Sequence, residues 1–211
     1  MERLVQIVAA DRELVRIVDA AAAEAVRRSG SWIACRPGCT ECCMGPFDIT
    51  ALDALRLQNG LRGLEAADPP RAAEIRRRAS AYAATITPDY PGDSATGALD
   101  DPDRLPGGWD NVPCPALDPA TGCCDLYAAR PVTCRIFGPA MRTSEALGAC
   151  ELCYQGAGDE EIARCAVEID PEGLESALLA GLDAQGAPRM TIVAFALARG
   201  TEFAPSGVQL K

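Results

Sequence analysis

Cys35, Cys39, Cys42 and Cys43 put four thiols within nine residues, with Pro37 and Gly38 forcing a turn between the first two. Seven more cysteines follow at 114, 123, 124, 134, 150, 153 and 165. Thiolate is the soft ligand of zinc, copper(I) and iron–sulfur clusters. Packing alone rarely concentrates soft donors in this way. The chain has no histidine, so four cysteines, or three with a carboxylate, are the natural ligand shells. That absence also removes the commonest general base at neutral pH and excludes a Cys–His catalytic dyad. The pattern points to a thiolate-bound metal site fed by separate segments of the chain.

Adjacent cysteines carry geometric information. Neighbouring side chains of extended backbone point to opposite sides, so Cys42 and Cys43 need not serve one ion, and the same holds for Cys123 and Cys124. Eleven thiols exceed one four-coordinate shell, which leaves room for two metal centres. One centre with the spare thiols buried is the simpler alternative. The spacing Cys35-x3-Cys39-x2-Cys42 also matches the three-cysteine motif of radical S-adenosylmethionine enzymes. That motif sits in a barrel of alternating strands and helices, which this chain lacks, and Glu41 stands where an aromatic is usual.

Composition narrows the partners. The net charge of −10 argues against nucleic acid or an anionic membrane surface. An apolar fraction of 48% in 211 residues is enough to bury a core without disulfide staples. The N-terminal apolar run at residues 5–10 is short and meets Asp11, Arg12 and Glu13 at once, unlike a signal peptide. A cytoplasmic location follows as the expectation. There thiols stay reduced, and clustered cysteines mean metal more often than disulfides.

The elements that must position these thiols read as mainly α with a small β-hairpin: an irregular cysteine-rich metal-binding core packed against helices. One domain, 1–211, is expected. It divides into an N-terminal helix over 1–30, a cysteine core over 31–166 and C-terminal helices over 167–211. Leu4, Ile7, Val8, Leu14, Val15, Val18, Ala22 and Val26 give the first helix its apolar stripe. A second helix, capped by Asp48 or Thr50, is expected to end at Gly60. Asp68-Pro69-Pro70 opens a third, running to about Thr85 with Arg71, Arg76, Arg77 and Arg78 on a solvated face. Residues 87–113, rich in Pro, Gly and Asp, read as a flexible loop or flap. The turn at 118–122 predicts a hairpin bringing Cys114 near Cys124. Cys150 and Cys153 form a CxxC pair, Asp159 begins a short helix carrying Cys165, and helices are expected over 171–184 and 188–199, the last capped by Thr191.

Taken together, Cys35-x3-Cys39-x2-Cys42-Cys43, then Cys114-Pro115-x-Leu117, then Cys124-x2-Tyr127-x2-Arg130-Pro131-x2-Cys134-Arg135, resembles the YkgJ-type cysteine-cluster family. Its members, the CxxCxxCC proteins, are described as zinc- or iron-chelating domains. The resemblance covers roughly residues 33–136. It implicates Cys35, Cys39, Cys42, Cys43, Cys114, Cys124 and Cys134 as ligands, with Cys150, Cys153 and Cys165 as extensions of the same site. Cys123 is extra to the motif and is expected to be dispensable. Arg130, Arg135 and Tyr127 either donate toward the sulfurs or anchor the fold.

Two function classes follow. One is a cytosolic metal-binding protein holding an iron–sulfur cluster, the preferred cofactor, or zinc. The other is a metal-dependent enzyme of redox or group transfer, distantly like flagellin lysine-N-methylases, which carry a similar cysteine cluster.

Overall fold

The computed structural model describes residues 2–105, 107–143, 146–184, 186–187 and 189–199. In chain order the elements are α1 (Glu2–Ser29), β1 (Asp48–Thr50), α2 (Ala51–Ala67), α3 (Pro69–Ile86), β2 (Gly92–Asp93), β3 (Ala98–Leu99), β4 (Leu117–Asp118), β5 (Cys123–Cys124), α4 (Val132–Ile136), β6 (Met141–Arg142), β7 (Leu147–Gly148), α5 (Asp159–Cys165), β8 (Val167–Glu168), α6 (Leu174–Asp183), β9 (Met190–Ile192) and α7 (Val193–Ala198). The fold is mainly helical with small strand pairs. None of the described helices is long and apolar enough to cross a membrane. The chain packs as two compact units, the first made of residues 1–39 and 132–178, the second of residues 40–131 and 179–211.

In the first unit α1 packs against α4, α5 and β8. Its buried stripe is Ile7, Leu14, Val18, Ala21 and Ala25. At 3.6 residues per turn, Val18 is followed on its own face by Ala21 and Ala25. Ala22 is therefore only half-buried and Val26 is exposed, against the stripe expected from the sequence. Arg135 on α4 ties the elements together. Buried itself, its Nη1 donates to both carboxylate oxygens of Asp19 on α1 at 2.8 Å. β6 pairs antiparallel with β7 and parallel with β8.

The second unit is built on α2, α3 and α7, with β1 paired antiparallel to β9. Thr50 caps α2 by accepting from the Asp53 N–H, a contribution of about 1 kcal/mol. Asp68 caps α3 by accepting from Arg71 N–H, with Pro69 and Pro70 at its first positions. Leu57, Leu61, Ile75, Ala79, Ala196 and Leu197 form one apolar cluster, and Tyr82, Ile86, Tyr90, Leu99 and Phe195 another. Phe195 and Ile86 are fully buried, each stabilising by roughly 1.5–3 kcal/mol.

Three local expectations change. α2 runs through Gly60 to Ala67. Gly60 is an interior glycine because a Cβ there would stand 2.3 Å from the Cβ of Ala129, on the 3-10 turn at 127–129. The stretch expected as a loop holds structure of its own: β2 and β3 form a hairpin, Tyr90 and Leu99 are core residues, and Tyr90 and Thr191 hydroxyls both donate to Gly97 O, at 2.9 and 2.7 Å. The expected helix over 188–199 splits. Residues 190–192 are drawn into β9 by their partner β1, and Thr191 is a buried strand residue instead of a cap.

Candidate functional site

All eleven cysteines are free thiols. Each unit gathers a group of them.

In the second unit, the short run after Cys39 forms a 3-10 turn, Glu41–Cys43, closed by Cys43 N–H donating to Thr40 O at 2.8 Å. The chain then lies antiparallel against residues 112–114. Gly45 N–H donates to Val112 O at 2.8 Å, Met44 and Pro113 form a β-bridge, and Cys114 N–H donates to Cys43 O at 2.7 Å. These bonds set Cys43 beside Cys114. The β4–β5 hairpin, with Leu117 opposite Cys124, returns Cys124 to the same place, as its turn sequence predicts. Asp125, next to Cys124, fastens the hairpin to α3. Its buried carboxylate accepts from Arg71 Nε and Arg78 Nη2, both at 2.6 Å, while Arg78 Nε also donates to Pro115 O at 2.9 Å. The remaining arginines of α3 pair with Glu65 and Glu74.

The thiols of this group act on one another. Cys43 S–H donates to Cys42, which pulls Cys42 down to about 6, helped by a backbone hydrogen bond and the nearby Arg130 guanidinium. The same hydrogen bond, with burial and the charges of Cys42, Cys114 and Cys124, pushes Cys43 up. Burial, ahead of the neighbouring Cys124 and Cys42, pushes Cys114 up to about 12. Cys124 is also raised, chiefly by burial. Arg130 lies over the ring of Tyr127, 4.0 Å from its centroid, so Tyr127 holds the cation that favours the Cys42 thiolate. Cys123 is exposed, its Sγ 3.8 Å from Thr121 O.

In the first unit, Cys35 is exposed as a residue, with Cys153, Cys150 and Cys39 near its sulfur. Burial comes first, then the charges of these thiols and a hydrogen bond to Cys153, and together they push Cys35 up to about 12. Cys153 Sγ also accepts from Ala34 N–H at 3.4 Å, and Cys153 N–H donates to Cys150 O at 2.9 Å, closing the CxxC turn. Cys153 and Cys165 are both buried in one apolar cluster, with Cys150 packed against it. Cys165 Sγ donates to the Arg28 carbonyl at 3.6 Å. Cys134 is half-buried on α4.

Two residues that the spacing of cysteines does not reveal shape this group. Gly138 has φ +123°, and a Cβ there would come within 2.6 Å of Cys35 Sγ. Its carbonyl accepts from Cys150 N–H at 3.1 Å. Tyr154, following Cys153, takes φ +57°, a conformation that costs a side-chain-bearing residue about 1–3 kcal/mol. Its surroundings hold it there. Its N–H donates to Trp32 O at 3.0 Å, its hydroxyl accepts from Ala140 N–H at 2.7 Å, and it stands 2.5 Å from Ser29 Oγ. Ser29 spends its own proton on Ala25 O at 2.6 Å, so Tyr154 is the donor to Ser29. The aromatic side chain is thereby locked, and with it the direction of Cys153.

Among the described residues, no three cysteine or acidic side chains form a ready-made coordination shell. The donor chemistry nevertheless fits a soft cation. The thiols are unbridged, and most of them are half-buried or buried. Arg135, by contrast, is a fold anchor through Asp19.

The family model for the CxxCxxCC proteins, described as "putative zinc- or iron-chelating domain", matches residues 34–154, more than half of the chain. The chain belongs to this family. No curated protein and no solved structure matches it.

Proposed function

We propose that this protein is a cytosolic metal-binding protein with one thiolate-held centre in each unit. Cys35, Cys39, Cys150 and Cys153 would serve the first, with Cys134 and Cys165 as accessory thiols. Cys42, Cys43, Cys114 and Cys124 would serve the second. The observation that carries this reading is where the thiols lie: Cys39, Cys150 and Cys153 near Cys35 in the first unit, and Cys42, Cys114 and Cys124 near Cys43 in the second. The membership of a zinc- or iron-chelating family supports it. Iron–sulfur is preferred to zinc. The donors are cysteines without histidine, and the adjacent pair Cys42–Cys43 is unlike the spaced pairs of zinc knuckles.

The test is metal and acid-labile sulfide analysis on anaerobically purified protein, repeated with serine at Cys35, Cys43, Cys124 and Cys150. The expected result is iron with sulfide and a broad band near ~400 nm, with about half of the metal lost in each variant. Zinc without sulfide would replace the cofactor and keep the centres. Metal content unaffected by all four substitutions would overturn the reading.

A further inference from the structure

Arg78 of α3 reaches two residues that each stand directly after a cysteine. Its Nε donates to the Pro115 carbonyl at 2.9 Å and its Nη2 to the Asp125 carboxylate at 2.6 Å, while Nη1 lies 3.7 Å from Glu74. Pro115 follows Cys114, and Asp125 follows Cys124. Both acceptors are withdrawn from water, since Pro115 is buried and the Asp125 side chain is 3% exposed. A buried carbonyl and a buried carboxylate each need a donor, and one planar guanidinium serves both. The β4–β5 ladder pairs Leu117 with Cys124, and Asp125 N–H then donates to Ala116 O at 2.7 Å. Cys114 precedes that ladder, in a turn closed by Leu117 N–H donating to Cys114 O at 2.9 Å. At this open end of the hairpin, the guanidinium of Arg78 spans the two arms.

Resting on the reading of Cys114 and Cys124 as metal ligands, we infer that Arg78 is a positioning residue: its guanidinium fixes the spacing of the two arms that carry these thiols. Half of the second coordination shell is thereby set before metal arrives. Arg71 has a different part. Its Nε donates to the other oxygen of the same carboxylate, Asp125 Oδ1, at 2.6 Å, from a side chain that is 48% exposed. Arg71 anchors one arm to α3, whereas Arg78 joins the two arms to each other. Ligands held in place beforehand give up less conformational freedom on binding, and contacts just outside the ligands set their direction and the affinity. Lysine is no substitute, because its single ammonium cannot occupy the positions of Nε and Nη2 at once.

The experiment titrates cobalt(II) into wild type, Arg78→Lys, Asp125→Asn and Arg71→Gln, with Cys114→Ser marking the share of the spectrum that belongs to the second centre. Melting of the metal-free proteins sets a temperature at which the variants compared are fully folded. There, Arg78→Lys is expected to bind that share of cobalt about tenfold more weakly. At saturation it keeps the wild-type sulfur-to-cobalt intensity, because the same thiolates bind, while its visible d–d bands shift, because they report the angles between ligands. Lost stability alone moves neither affinity nor bands at that temperature. Arg71→Gln binds as wild type does. If Arg78→Lys does not fold, Asp125→Asn carries the test, with the same loss and the same shift expected. Wild-type affinity and bands in the folded variant, or an equal loss in Arg71→Gln, overturns the inference while leaving the metal centre standing. Wild type and Cys114→Ser giving the same cobalt spectrum would overturn the centre itself, and the inference with it.

Discussion

The amide of Cys114 donates to the carbonyl of Cys43 at 2.7 Å, across a bridge formed by Met44 and Pro113. Seventy-odd residues of sequence separate the two thiols, and one short antiparallel ladder removes that distance. The two should therefore share a fate. Cys43→Ser and Cys114→Ser are each expected to lose the same share of bound metal, and the double variant no more than either alone. Combining Cys43→Ser with Cys35→Ser should remove nearly all of it. Metal-to-protein ratios after anaerobic reconstitution decide this.

Gly138→Ala tests the first unit without touching a thiol. The new methyl would meet Cys35 Sγ at 2.6 Å, in a backbone conformation with φ +123° that favours glycine. Both effects oppose the substitution, at about 1–3 kcal/mol each. The expected outcome is a lower melting temperature and loss of the share of metal that Cys35→Ser also loses, with the share tied to Cys43 retained.

Gly60→Ala sets two effects against each other. In an exposed helix interior the change stabilises by about 1 kcal/mol. Here the Cβ would stand 2.3 Å from that of Ala129, and overpacking costs roughly 1–3 kcal/mol, so destabilisation should win. Chemical denaturation should show Gly60→Ala below wild type, and the pair Gly60→Ala with Ala129→Gly restored to near wild type or above it.

The metal-free protein should lose stability in alkali. Cys35 and Cys114 are held up to about 12 from an ordinary 9.0. Below 9 Cys35 and Cys114 keep their protons in both states, and these two thiols leave the balance unchanged. Between 9 and 12 the unfolded chain releases protons that the folded one retains, so unfolding is favoured progressively with rising pH. Melting temperatures taken from pH 8 upward should fall across that window, and fall less in Cys114→Ser. Metal binding runs the other way. It requires the thiolates and releases their protons, so affinity should rise with pH.

Much of the fold is legible in the sequence where the signal is local. The Thr50 and Asp68 caps, the prolines at the start of α3 and the turn before Cys123 act on their near neighbours, and each appears as expected. The family signature is equally legible, since it is a matter of spacing. What escapes is decided at a distance. Gly60 reads as a helix stop until Ala129 is seen beside it, and Thr191 reads as a cap until β1 claims its backbone. Gly138 is one glycine among many until Cys35 is placed against it. The sorting of the thiols is also hidden, because Cys39 and Cys42 are three positions apart yet fall in different units.

The order of the chain through the two units has a consequence for how the protein is made. Residues 1–39 wait for 132–178 before the first unit can close, and residues 40–131 wait for β9 and α7 before the second can. During synthesis α1 leaves the ribosome well before α4 and α5, with its apolar stripe uncovered. Stopping translation ahead of α4 yields neither unit whole, and stopping between residue 178 and β9 yields only the first.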